Sequence, residues 1–174
     1  TIPAAEKDLP ANLCPLIKSS YGFAKEDKCP FFYFSDIVVG ENTCDGKKKM
    51  YELMSDFKDV FVMDLPNSQS ENGLALYKAE CLRLKKYIEE KFGITITDDD
   101  LRKAVKIDTE IRVAKKHLID TMKTDPCPVS GLDMFKVLYG SGFKFDRTGI
   151  AAEMYAVADK IEKASIATIE EGTI

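Results

Sequence analysis

The stretch from Asp36 to Met54, DIVVGENTCDGKKKMYELM, constrains the fold more than any other part of the chain. Ile37, Val38 and Val39 form a short β-branched run of the kind a buried strand favours, so Asp36 to Gly40 is predicted to be a strand. Glu41 to Gly46 is a polar loop. Lys47 to Met54 then has helical spacing, with Met50, Leu53 and Met54 on one face. Cys44 therefore falls where a strand ends and a helix begins. In open α/β sheets, ligands collect beyond the carboxyl ends of the strands. The unpaired N–H groups and positive dipole end of a helix favour an anion there, a thiolate included. Lys47, Lys48 and Lys49 add positive charge close by. The pattern makes Cys44 a candidate reactive thiolate or metal ligand; the alternative is a buried free cysteine.

Val60 to Met63 (VFVM) is a second strand, closed by Leu65-Pro66. Strand, helix, strand at this spacing is a βαβ unit, with parallel strands and a right-handed crossover. The fold class is therefore α/β, a parallel βαβ core with several additional long helices. Before that core, Thr1 to Pro10 reads as a polar lead-in. Asn12 is placed to cap a short helix through Leu13, Leu16 and Ile17, with Cys14 in its first turn and Gly22 as its stop. Lys25 to Lys28 is a charged loop. Cys29-Pro30 leads into the aromatic run Phe31-Phe32-Tyr33-Phe34, which reads as core and as a wall that would keep water from a cofactor.

The remainder is helical. Leu74 to Phe92 places Tyr77, Cys81, Leu84, Ile88 and Phe92 on one face, which assigns Cys81 to the core, and Gly93 ends this helix. Thr97 with Asp98, Asp99 and Asp100 is a capping sequence rather than a metal site. It opens a long helix to about Lys123 whose stripe includes Ile107, Ile111, Ala114, Leu118 and Met122. Asp125-Pro126-Cys127-Pro128 breaks the chain. Ser130, with Asp133 three residues on, opens a helix to about Tyr139, ended by Gly140 and Gly142. A last helix runs from Asp146 or Thr148 to about Glu171. Two strands alone make a marginal sheet. The helices carry more apolar stripe than two strands cover, so the sheet is expected to be completed by segments absent from this chain or by a second subunit.

The 174 residues suit one domain. A net charge of −4 turns the reading away from nucleic acid. No apolar run approaches the roughly 20 residues that span a membrane. No signal peptide is evident, and a start at Thr1 without methionine reads as trimmed. Five cysteines with no sign of secretion point to a reducing, cytoplasmic setting, where clustered thiols bind metal or do chemistry.

Cys14, Cys29 and Cys44 each sit at a loop or element end, where a side chain can face a shared space. Cys14 and Cys29 are followed by proline, which stiffens the loop and removes an N–H. Cysteine-only ligation without CxxC pairs or histidine argues against an ordinary zinc knuckle and favours iron–sulfur chemistry. Their sulfurs are expected to converge, about 6–7 Å apart, on one cluster. Cys127, also Cys-Pro and on a break, is a weaker candidate. His117, the single histidine, lies on a lysine-flanked helix and reads as a surface residue rather than a ligand. Three function classes remain open on residues alone. They are an electron-accepting reductase component, a binding or assembly domain with structural cysteines, and a thiol enzyme on Cys44, which lacks a nearby histidine base.

The segments NLCPLIKSSYGFA and DKCPFFYFSDIVVGENTCDGKKKMYEL resemble the 2-hydroxyacyl-CoA dehydratase and benzoyl-CoA reductase superfamily. The match is to its D-component type, closest to the double-cubane-cluster branch. IEEKFGITITDDDLRKA and CPVSGLD extend the likeness over nearly the whole chain. The resemblance implies a subunit of two α/β domains holding an iron–sulfur cluster, 4Fe-4S or double cubane, through cysteines. It implies an ATP-hydrolysing iron–sulfur activator protein as electron donor, a homo- or heterodimer partner subunit, and an acyl-CoA or small-molecule substrate. Cys14 and Cys44 match the two early cluster cysteines of the family, and Cys29 matches a position typical of the double-cubane branch. Further ligands would fall in a second domain. Residues 1–174 then read as the N-terminal domain, inactive by itself.

Overall fold

The computed structural model describes residues 1–170, with side chains through residue 164. The chain forms two compact units, Thr1–Thr95 and Ile96–Ile174.

The first unit holds the βαβ core. Strands β1 (Val38–Glu41) and β2 (Val60–Met63) pair in parallel, with Val38 opposite Val60 and Gly40 opposite Val62. They make a two-stranded sheet among the described residues. The first strand starts two residues later than the expected Asp36 and takes in Glu41. Val39 is 46% exposed, so this strand is not a fully buried one. The joining helix runs from Asp45 to Met54 and turns Met50, Tyr51 and Met54 into the core. Three further helices precede or flank it: Ile2–Ala5, Pro15–Lys25 and Pro30–Phe34. In chain order these are α1, α2 and α3, and the joining helix is α4. Ala5, Leu9, Ile17, Tyr21 and Ala24 complete the core.

The polar lead-in is structured, because Ala5 and Leu9 bury in the core. The cap of α2 is Cys14, not Asn12, since Pro15 occupies the first helical position. Gly22 does not stop that helix but lies inside it. A Cβ there would sit 2.0 Å from the Thr1 carbonyl oxygen, so glycine is what lets the chain start pack against α2. The aromatic run folds as α3 rather than filling the core. Phe34 is 80% exposed and Phe31 and Tyr33 are exposed too, while Phe32 alone packs on the core.

Helix α5, Glu71–Phe92, is capped by Ser70, whose Oγ accepts from Gly73 N–H, and closed by Gly93 at φ 63°. Cys81, Tyr77 and Phe92 are exposed on it, and the buried side chain is the neighbouring Glu80. The face towards the sheet is thus displaced from the one the apolar spacing marks. A carboxylate takes the inward place because a guanidinium and a backbone N–H satisfy it there.

The second unit is a helical pair with a third helix against it. Helix α6 (Asp98–Asp120) opens with a capping box: Thr97 Oγ1 accepts from Asp100 N–H, and Asp100 Oδ2 accepts from Thr97 N–H. A short 3-10 turn, Thr121–Lys123, follows it. Ser130 caps α7 (Gly131–Gly140), and α8 spans Ile150–Glu170. Ile111, Ala114 and Leu118 of α6 pack against Met134 of α7 and Ile150, Met154 and Ala158 of α8. The expected start of α8 at Asp146 or Thr148 moves to Ile150, and its expected end at Glu171 lies outside the described residues. Among the described residues no helix is long and apolar enough to cross a membrane.

Candidate functional site

Cys14, Cys29 and Cys44 share one structural role: each is the residue that caps a helix N-terminus, of α2, α3 and α4 respectively. The local sequence dictates this. Pro15 and Pro30 fix the first helical φ after two of the cysteines, and Asp45 places acid in the first turn after the third. At such a position the orphan N–H groups point towards the side chain of the cap. Cys29 Sγ accepts from Phe32 N–H at 3.5 Å. The Cys14 thiol is exposed, and the nearby Ile17 N–H and then Leu16 N–H, though outside full hydrogen-bond geometry, hold its pKa below the usual thiol value.

The starts of α2 and α4 adjoin. A Cβ on Gly46 would lie 2.8 Å from Ile17 Cδ1 and 2.9 Å from Leu13 Cδ1, so the first turn of α4 rests on the residues flanking Cys14. Cys44 is half-buried against the core. Cys29 lines an open groove of about 610 Å³, together with Phe23, Phe32, Lys47, Met50 and Tyr51. The first turn of α4 thus meets Cys14's neighbours on one side and Cys29's groove on the other. Among the described residues no three cysteine sulfurs lie within 4.8 Å of one another. Cys81 is exposed on α5, and Cys127, in the second unit, donates to the Val129 carbonyl at 3.2 Å.

The three lysines after Cys44 are not a free positive field. Lys47 pairs with Glu41 at 2.8 Å, Lys48 with Asp45 at 2.7 Å and Lys49 with Glu52 at 2.8 Å. Glu41 raises the pKa of Lys47, and Asp45 that of Lys48.

A set of polar residues that the spacing did not mark fixes the loops beyond the strands. Asn42, just after β1, donates to Asp64 Oδ1 at 2.8 Å and accepts from Leu65 N–H at 3.0 Å. Glu80 accepts from Asp64 N–H at 2.9 Å and binds Arg83. Arg83 lies 4.1 Å over the Phe61 ring. The loop that carries Cys44 is thereby tied to the loop after β2. The only hint in sequence is that Asn42 and Asp64 each follow directly on a strand end.

A family model described as 2-hydroxyglutaryl-CoA dehydratase, D-component, matches residues 1–173. The chain is also 53% identical over 164 residues to a protein of Escherichia coli (strain K12) named "Putative dehydratase subunit YjiM". That alignment covers 94% of this chain and 43% of the relative, so the chain spans less than half the length of the protein it matches. The chain therefore belongs to the 2-hydroxyglutaryl-CoA dehydratase D-component family.

Proposed function

We propose that this chain supplies Cys14, Cys29 and Cys44 as iron–sulfur ligands of a dehydratase-type subunit. In this reading the subunit works in an ATP-dependent, low-potential system. It takes an electron from an ATP-hydrolysing iron–sulfur activator protein and acts on an acyl-CoA or another small molecule. The observation that supports it is the placement of three cysteines as helix caps around one βαβ unit. The donor set fits the group: all three are thiols, none is in a disulfide, and Cys14 is already biased towards thiolate. Thiolates are the ligands iron–sulfur clusters take. When bound, such a cluster supplies one-electron transfer at low potential.

The chain's own residues do the rest. The N–H groups at the starts of α2, α3 and α4 favour negative charge at the three sulfurs. Phe23, Phe32, Met50 and Tyr51 give the groove beside Cys29 an apolar lining that limits water. Asn42, Asp64 and Glu80 hold the Cys44 loop in register with β2. The exposed apolar side chains Leu16 of α2 at 73% and Phe34 of α3 at 80% suit a partner surface, in keeping with a dimer partner or further protein mass around this site. A reducing cytoplasm is the proposed setting, since it keeps such thiols available.

Anaerobic iron and acid-labile sulfide analysis of the full-length protein tests this. Cys14→Ser, Cys29→Ser and Cys44→Ser should each lose most bound iron, because serine is a poor ligand for soft metal sites. Cys81→Ser, on the exposed face of α5, should keep it. Reduction should require the activator and ATP. Full iron content and turnover in Cys44→Ser would defeat the reading and leave a binding or assembly domain with structural cysteines.

A further inference from the structure

His117 lies in the last turn of α6, and α8 packs on that helix through Leu118, Met154 and Ala158. The packing brings Asp159 and Glu162, three residues apart and so on one face of α8, to the same place. One ligand atom from each of His117, Asp159 and Glu162 lies within 4.8 Å of the other two. His117 Nε2 stands 3.9 Å from Glu162 Oε1. That is too long for a hydrogen bond. It is within reach of a shared ion, since two atoms each about 2.1 Å from one ion are at most about 4.2 Å apart. The 4.8 Å bound then closes by a fraction of an ångström. Among the described residues neither carboxylate has a lysine or arginine partner, while Lys116, next to His117, is held by Asp120 at 2.9 Å.

We infer that His117, Asp159 and Glu162 form a binding site for a divalent cation of the zinc class, joining α6 to α8. An imidazole with two carboxylates suits zinc and its neighbours rather than calcium or magnesium, which take all-oxygen shells. The site lies in the second unit, on none of the proposed cluster cysteines, and it does not rest on the proposed function. The ion would act as a staple. It binds the folded helix pair and not the separated helices, so it stabilises the unit by mass action.

The test exploits the single histidine of the 174-residue chain. Its imaginable competitors, the five thiols, also take zinc, but they do not touch the imidazole signals. Zn²⁺ is titrated to ten equivalents while the His117 imidazole resonances are followed by NMR. The expected result is a saturable shift of those resonances and a higher Tm. In Asp159→Asn and Glu162→Gln the zinc concentration for half-shift should rise at least about tenfold, the lower range seen for losing even an outer partner of a metal ligand. His117→Ala should lose the part of the Tm gain that this site provides. Circular dichroism checks that each variant keeps its helix content. Unmoved His117 resonances would overturn the inference. So would an equal shift in both carboxylate variants, which would mean a lone surface imidazole.

Discussion

Glu80 is buried to 7% exposure on a helix whose apolar residues mostly face outwards. Its position is decided by partners and not by hydropathy. Arg83, first, and the Asp64 N–H, second, hold its carboxyl below the usual range. A buried carboxylate is tolerated only with such partners. Glu80→Gln keeps the size and one acceptor but removes the charge that Arg83 binds. It should cost about 1.5–3 kcal/mol, the value of hydrogen bonds to charged groups, read as a lower urea midpoint at unchanged slope. An unaltered midpoint would mean the loop after β2 is held by Asn42 alone. At this scale the sequence was informative where a residue acts through its chain neighbours. Pro15 and Pro30, and the change from a β-branched run to helical spacing around Cys44, mark Cys14, Cys29 and Cys44 as lying at element ends. It was silent where partners are distant. Asp64 and Glu80 are 16 residues apart, and His117 meets a carboxylate 45 residues on, so no local pattern announces either group.

At the scale of elements, β2 and the capped start of α6 were legible to the residue, because each depends on local chemistry. The misread elements are those where tertiary contact overrides propensity. The aromatic run looks like core by composition, yet a five-residue helix can bury only one side, and Phe32 takes it. Gly22 looks like a stop, yet the chain start approaches α2 there and needs the missing Cβ. Gly22→Ala gains about 1 kcal/mol of helix propensity but puts Cβ 2.0 Å from a backbone oxygen, which no side-chain rotation relieves. The clash should lift α1 off α2 without unwinding α2. The amides of Ala4 and Ala5, which bond the Thr1 carbonyl at 3.1 and 3.2 Å, should lose hydrogen-exchange protection. Amides in the middle of α2 should keep theirs. Unchanged protection at Ala4 and Ala5 would show that the chain start shifts as a unit with its hydrogen bonds intact.

For the whole molecule, periodicity identifies apolar faces but not which faces meet, so the two separate cores, one in each unit, could not be read from the stripes. Charge pairing is likewise a property of the assembled chain, and it sets the pH dependence of stability. Lys25 and then Tyr21 lower Asp8, Lys47 lowers Glu41, Lys48 lowers Asp45, and Arg83 lowers Glu80. Lys123 and Lys116 bring Asp120 down from 3.8 to about 2. Each folded pKa lies below its unfolded value, so the unfolded chain binds protons first as pH falls. The stabilisation is therefore complete above the ordinary values, 3.8 for aspartate and 4.5 for glutamate, and is lost between there and about 2. On the alkaline side the sign reverses. Burial and then the Asp8 hydrogen bond push Tyr21 from 10.0 up to about 12. Its contribution is whole below pH 10 and is lost as pH rises through 12. Tm should thus fall steadily below about pH 4 and again above about pH 10. Most of these pairs are exposed, so each is individually small and screened by salt. Thermal melts from pH 2 to 12 in low salt and in 1 M KCl give the check. The acid limb should be shallower in 1 M KCl as the exposed pairs are screened, while the Tyr21 limb, which comes from a buried hydroxyl, should persist. A Tm that rises as pH drops from 4.5 to 2.5 would show that these pairs do not support the fold.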